Sequence, residues 1–496
     1  MAAPRDDVEL TFALGELEAL YRRRERARYL WRSGQEVFTG LAEVYARHPV
    51  LVSEAGFVQL FDLPVAPTEK TALVDLVTGW FVESRLVERL DTLAMQEAMV
   101  QVSWLLETAS PWEAGRAGWS QRDQARRHLI DEALRSTLGP LDELRLELWD
   151  ARRAVLGELS VLAGVLEAPV VSGPAFDVAE CAATLLGSTA DLYQQSLRDQ
   201  LVHHGLDGAD VWETDLQWVL RGAELDRLVP TDQMVPSVHR TLDALGIRLR
   251  DQDNLSLDQD LRARKVDQSF CAPLGVPEQI VMCWTRVGGR ADLETLLTLV
   301  GEAERYALVD PTIGFVQRCL GDGAVRAGYG QMLRSLASNP IWLAEQIDLD
   351  FSADVVRLSS FQRLLELRWL AAQVRYLADL EQAADRDDAL RFREQYEADL
   401  SEALGVRVFP DGWLRDLDAA AAREALVGRI LDAQLRVFLA GEFDAEWFRS
   451  PRAGRFLVDL WRQGQRFTAS ELALALGFDG IDPTALLDEL RLGLAR

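Results

Sequence analysis

Apolar residues recur every three to four positions over most of this chain, the spacing that lays one apolar stripe along a helix. Leu367, Leu370, Val374, Leu377 and Leu380 are the clearest case, with Arg and Glu filling the opposite side. The same period predicts helices over roughly 8–48, 70–110, 120–168, 176–225, 290–308, 324–346, 354–384 and 388–404. Near the C-terminus, Thr468-Ala-Ser-Glu471 has the spacing of a capping box, in which hydroxyl and carboxylate satisfy orphan N–H groups at a helix start. That helix should stop at Gly477, and Asp482-Pro483 should open another as N-cap and first turn.

The pattern changes between about 265 and 290. Ser269-Phe-Cys-Ala-Pro273 and Gln279-Ile-Val-Met-Cys-Trp-Thr-Arg286, bounded by Pro and by Gly288-Gly289, read as two short strands. A small sheet inside a helical protein is more often there to line something than to add bulk stability. The Pro-, Asp- and Gln-rich stretch from 227 to 260 reads as an ordered connection between two helical halves. The division that follows is an N-terminal helical domain of about 1–150 and a second of about 170–496 that holds the sheet.

Composition narrows the function. The 496 residues carry a formal net charge of −26, which argues against nucleic acid, because phosphate contacts need a basic face. Arg22-Arg-Arg-Glu-Arg-Ala-Arg28 resembles a basic patch, but the interleaved Glu25 makes it a solvated helix face. No apolar run approaches the roughly 18 residues of a membrane span, and the N-terminus lacks a secretory leader's pattern. Four cysteines without CxxC spacing fit a reduced, cytoplasmic setting. Cys283 and Cys319 have no sequence-local His to activate them, His203-His204 are adjacent and cannot chelate from one helix face, and the 14 tryptophans should pack the core.

Residues 246–334 form a recognisable order. Gly246-Ile-Arg-Leu, Asp253-Asn-Leu-Ser-Leu-Asp258 and Arg264-Lys-Val-Asp-Gln-Ser-Phe-Cys-Ala-Pro273 come first. After the second strand and Gly288-Gly289 stands Thr298-Leu-Val-Gly-Glu-Ala-Glu-Arg-Tyr-Ala307, then Val309-Asp-Pro311 and Leu320-Gly-Asp-Gly-Ala-Val-Arg-Ala-Gly-Tyr329. This resembles the thimet oligopeptidase and oligoendopeptidase F family of zinc peptidases, most clearly over about 240–345. The resemblance implies a mainly α fold: a large helical metallopeptidase-like body with a deep cleft and a small β-sheet beside it.

The family's chemistry needs His-Glu-x-x-His on one helix face, with the Glu as general base for zinc-bound water and a later Glu completing the ligands. Laid on this chain, the resemblance puts Gly301 and Arg305 at the two histidine positions, Ala327 at the later glutamate and Glu302 at the base. The motif reads Gly-Glu-Ala-Glu-Arg. All three ligand positions are vacant, and the five histidines (His48, His128, His203, His204, His239) all precede this segment, so no shift of register recovers an imidazole. Zinc, the family's cofactor, is therefore expected to be absent.

The expected function is a catalytically inactive oligopeptidase-like protein with Glu302 as a vestigial base. It would bind peptides, or a protein partner such as an active relative, in a regulatory or scaffold role. Arg305, Cys283, Trp284, Gly288, Gly289 and Tyr329 are the candidate cleft and peptide-binding residues. Arg305, three positions after Glu302, would replace the positive charge of the metal. Two alternatives stay open: an active hydrolase with a non-standard site using Glu302, and a purely structural helical protein. Glu302 and Arg305 also read as plain solvated helix residues, and Asp322 as a helix N-cap.

Overall fold

The computed structural model describes residues 5–61, 63–165, 176–206, 210–223, 226, 229–262, 264–266, 268–348, 353–415 and 417–495. Helices dominate. The long ones are Arg5–Arg32, Pro67–Met99 and Asp142–Val165 in the N-terminal part, and Gly289–Ala307, Ala353–Leu380, Arg386–Leu404 and Ala419–Phe443 beyond it. Among the described residues no helix is long and apolar enough to cross a membrane.

Local chemistry explains most departures from the simple helical period. The first predicted helix stops at Arg32, and Gly34 just beyond it adopts a left-handed backbone (φ 73°). The second ends at Met99, and the chain then forms a hairpin of β1 (Val102–Trp104) and β2 (Glu107–Ala109). Val102 and Trp104 are buried while Ser103 is exposed, an alternation of period two that the helical reading passed over.

The stretch read as a connection, 227–260, holds the helix Thr231–Leu245 and β3 (Leu255–Asp258). Its Met234, Val238, Leu242 and Leu245 form a buried stripe that outweighs Pro236 inside the second turn. The capping box at Thr468 forms as expected, and Gly477 has φ 89° just past the end of helix Ala469–Ala475. The last helix starts at Thr484, where Asp482 accepts from its N–H.

The predicted strands are present as β4 (Phe270–Gly275) and β5 (Gln279–Cys283), joined in a sheet of order β3-β5-β4. β3 runs parallel to β5 and β4 antiparallel to it. Side chains alternate across the sheet. Phe270, Ala272, Leu274, Val281 and Cys283 form a small cluster with Tyr29 of the first helix, whereas Ile280 and Met282 join the largest core with Leu296 and Val300 of helix Gly289–Ala307. Helices therefore cover both faces of the sheet.

That largest core draws on residues from Leu17 to Leu476, so both predicted domains contribute to it. A second core gathers Leu146, Tyr193, Phe361 and Ile430. Residues 166–175, between the two predicted domains, lie outside the described residues. Trp80, Trp284, Trp342 and Trp461 are fully buried, the packing role expected of them.

Candidate functional site

Three helices meet where the resemblance places the metal ligands: Gly289–Ala307, Gly323–Arg334 and Ala419–Phe443. They approach closely because small residues face one another. A Cβ at Gly301 would lie 2.4 Å from the Tyr329 carbonyl oxygen and 3.0 Å from the Gly330 Cα. A Cβ at Gly428 would lie 2.5 Å from the Cβ of Ala327. Both obstacles belong to packed helices, so neither can swing aside as a flexible side chain would. Histidine at 301 needs helices to separate. No group of three or more His, Cys, Asp or Glu side chains placed to hold a metal occurs among the described residues. The residues present do not fit a zinc ion.

Glu302 sits half-buried in this junction, its Cγ close enough that a Cβ on Gly330 would lie 3.2 Å away. Burial pushes its carboxyl above the usual range, and Arg326, Arg305 and Arg32 oppose that push. Arg305 is not a solvated residue: it is 3% exposed. One of its nitrogens donates to Gln465 Oε1, its guanidinium lies 4.7 Å from the centre of the Tyr306 ring, and its Nε and Nη1 have no hydrogen-bond partner. Arg326, on the neighbouring helix, reaches Glu424 at 3.5 Å, and its Nε also lacks a partner. Guanidinium charge thus acts on the carboxylate beside the place the family gives to a metal.

The other predicted cleft residues have different surroundings. Cys283, Trp284 and Tyr329 are core residues at 0%, 2% and 5% exposure, because helices cover the sheet and leave its side chains no open space to line. Tyr329 packs edge-on against Trp461. Burial pushes the Cys283 thiol up to about 11 and that of Cys319 up to about 12, so neither is a ready nucleophile. Gly288 and Gly289 form a turn under a clamp. Asp226 is bridged by Arg221, which also donates to the Val287 carbonyl, and a Cβ on Gly289 would lie 1.9 Å from Asp226 Oδ1. Asp322 is an N-cap, donating nothing and accepting from Ala324 N and from Ala469 N. His203 is exposed at a helix end, and His204 touches Trp218 edge-on.

The open space lies elsewhere. A depression of about 1390 Å³ runs between helix Pro67–Met99 and the segments around 316–323 and 465–471. A second one, of about 750 Å³, continues it and shares Asp322, Glu424 and Thr468 with it. Sequence reasoning missed these walls and also missed Arg326 and Arg32, whose charge acts on Glu302, and Gln465, which accepts from Arg305. Arg326 had one visible signal, standing next to the vacated position 327.

No family model matches the sequence, and no curated protein matches it. Solved structures do. A protein assigned as an oligoendopeptidase F superposes with a TM-score of 0.66 at 13% identity, over 99% of this chain and 95% of the other. PZ peptidase A, solved with an inhibitor, gives 0.66 at 11% over 99% and 91%. The M32 carboxypeptidase of Deinococcus radiodurans R1 gives 0.57 at 16%, over 99% of both chains. The fold is that of the helical metallopeptidases. At these identities the likeness extends to the backbone of the whole chain, sheet included, and each active-site position has to be judged on its own geometry.

Proposed function

We propose that this chain keeps a helical metallopeptidase body without metal-dependent catalysis and acts as a peptide-binding protein, in a regulatory or scaffold role. One observation carries the reading: position 301 is closed by backbone. A first-ligand histidine there would meet the Tyr329 carbonyl at 2.4 Å already at its Cβ. The first ligand position is thus not only altered in type but packed shut, and no histidine follows residue 239 to serve from elsewhere in the C-terminal half.

Charge supports the binding role. Arg305 and Arg326 bring fixed positive charge to the side of Glu302, with nitrogen donors left unpaired. Buried guanidinium donors without partners are costly, and a carboxylate or peptide carbonyl would satisfy them. An active relative with an intact site remains the partner this reading favours for a regulatory role.

The test is metal content together with peptidase assay of the purified chain. The expected result is zinc well below one equivalent and no chelator-sensitive cleavage of a mixed peptide library. Stoichiometric zinc with cleavage abolished by a chelator would overturn the proposal and restore an active hydrolase.

A further inference from the structure

Away from the candidate site, charged side chains from several helices meet in the interior. Arg290 and Arg334 share Glu294, and Arg334 and Arg429 share Glu366. In this linked set three guanidiniums stand with two carboxylates. The neighbouring pairs do not correct the excess. Arg363 and Arg436 are matched by Glu489 and Asp432, and Arg221 is matched by Asp226. Arginine keeps its proton in any protein setting, so the surplus cation cannot be neutralised by titration. An uncompensated charge in a protein interior is costly, and a bound counter-ion relieves that cost.

Two small cavities open among these groups and share Glu294, Arg334 and Arg363 as walls. Arg221 and Arg290 both line one of them. The side chains of Arg221 and Arg290 are 7% and 8% exposed. Their terminal nitrogens are held. Those of Arg221 donate to Asp226 and to the Val287 carbonyl. Those of Arg290 donate to Gln362 and Ser338, with Glu294 at 2.7 Å. The Nε–H of each has no protein partner. Two buried, positively charged donors on the wall of one cavity need an acceptor, and a negative one gains most from them. Each cavity has room for a water-sized group, which suits a halide and is too little for a phosphate or a peptide carboxylate.

We infer that the cavity between Arg221 and Arg290 is a halide site, filled by chloride. The ion supplies the missing negative charge and ties helix Glu213–Arg221 to helix Gly289–Ala307. The site is separate from the Glu302 junction and does not depend on peptide binding.

The test is thermal unfolding of the full chain in sodium chloride against sodium gluconate at constant ionic strength, since gluconate is too large for the cavity. Chloride should raise the midpoint saturably, by about 2–3 °C once the site is filled, and bromide should do the same. Arg290→Gln leaves two guanidiniums for two carboxylates and should lose the chloride effect. Arg391→Gln, at a side chain 81% exposed on helix Arg386–Leu404, should keep it. Anomalous diffraction from wild-type crystals grown in bromide needs no variant to fold, and should show a peak between Arg221 and Arg290. Equal midpoints in chloride and gluconate, a chloride effect that survives in Arg290→Gln, or a bromide-free cavity holding water alone would each overturn the assignment.

Discussion

Alanine at Gly301 tests the closed ligand position directly. In an unobstructed helix interior, Gly→Ala stabilises by about 0.8–1.0 kcal/mol through backbone entropy and propensity. Gly79, inside helix Pro67–Met99, is such a place, because an added Cβ there meets nothing within 4 Å. At Gly301 the same methyl would meet the Tyr329 carbonyl oxygen at 2.4 Å, its carbon at 2.9 Å and the Gly330 Cα at 3.0 Å. Ordinary contact begins near 3.4 Å, so helices Gly289–Ala307 and Gly323–Arg334 must part by up to about 1 Å along a tightly packed interface. Overpacking of this kind costs about 1–3 kcal/mol, which exceeds the propensity gain. Urea unfolding should therefore move in opposite directions: Gly79→Ala to a higher midpoint, Gly301→Ala to a lower one. If Gly301→Ala unfolds at or above the wild-type midpoint, the helices have slack, and the argument that a histidine is excluded there fails.

Three further outcomes follow from single residues. Glu304 is fully buried, accepts from Gln252, and has its carboxyl pushed up to about 7 by burial. A carboxyl raised in the fold binds more protons there than in the unfolded chain, so stability falls as pH rises from about 4.5 through 7. Glu304→Gln should remove that slope and gain about 3 kcal/mol at pH 8, with no gain at pH 4, measured by unfolding at both values. Arg334 pairs with Glu294 at 2.6 Å and with Glu366 at 2.8 Å in the interior between helices. Arg334→Ala should cost about 3 kcal/mol, the low end for a broken buried pair because Arg290 and Arg429 still serve the two glutamates, and an unchanged midpoint would contradict this. Asp322→Ala removes acceptors from two helix starts at once and should cost about 1–2 kcal/mol, with Asp322→Asn recovering part of it.

Much of the architecture could be read before any coordinates. Leu367, Leu370, Val374, Leu377 and Leu380 keep a helical period, and all but the half-buried Leu370 are core residues. β4 and β5 lie where β-branched residues between Pro and Gly put them. The hairpin at 102–109 escaped because three-residue strands give too few alternations to compete with the helix before them. Helix Thr231–Leu245 escaped because Pro236 is a strong local breaker, and only packing against the core overrules it.

What the linear sequence settled by itself is the inventory: acidic charge, helical period, and the lack of any histidine beyond residue 239. Those depend on residue type and spacing, which need no neighbours. Only the tertiary structure decided that position 301 is shut by the Tyr329 carbonyl, that Arg305 and Arg326 from different helices converge on Glu302, and that the open groove runs past Asp75 and Glu424 instead of along the sheet. Those facts arise from contacts between residues tens to hundreds of positions apart, whose distances are set by how helices pack and not by any pattern within one helix.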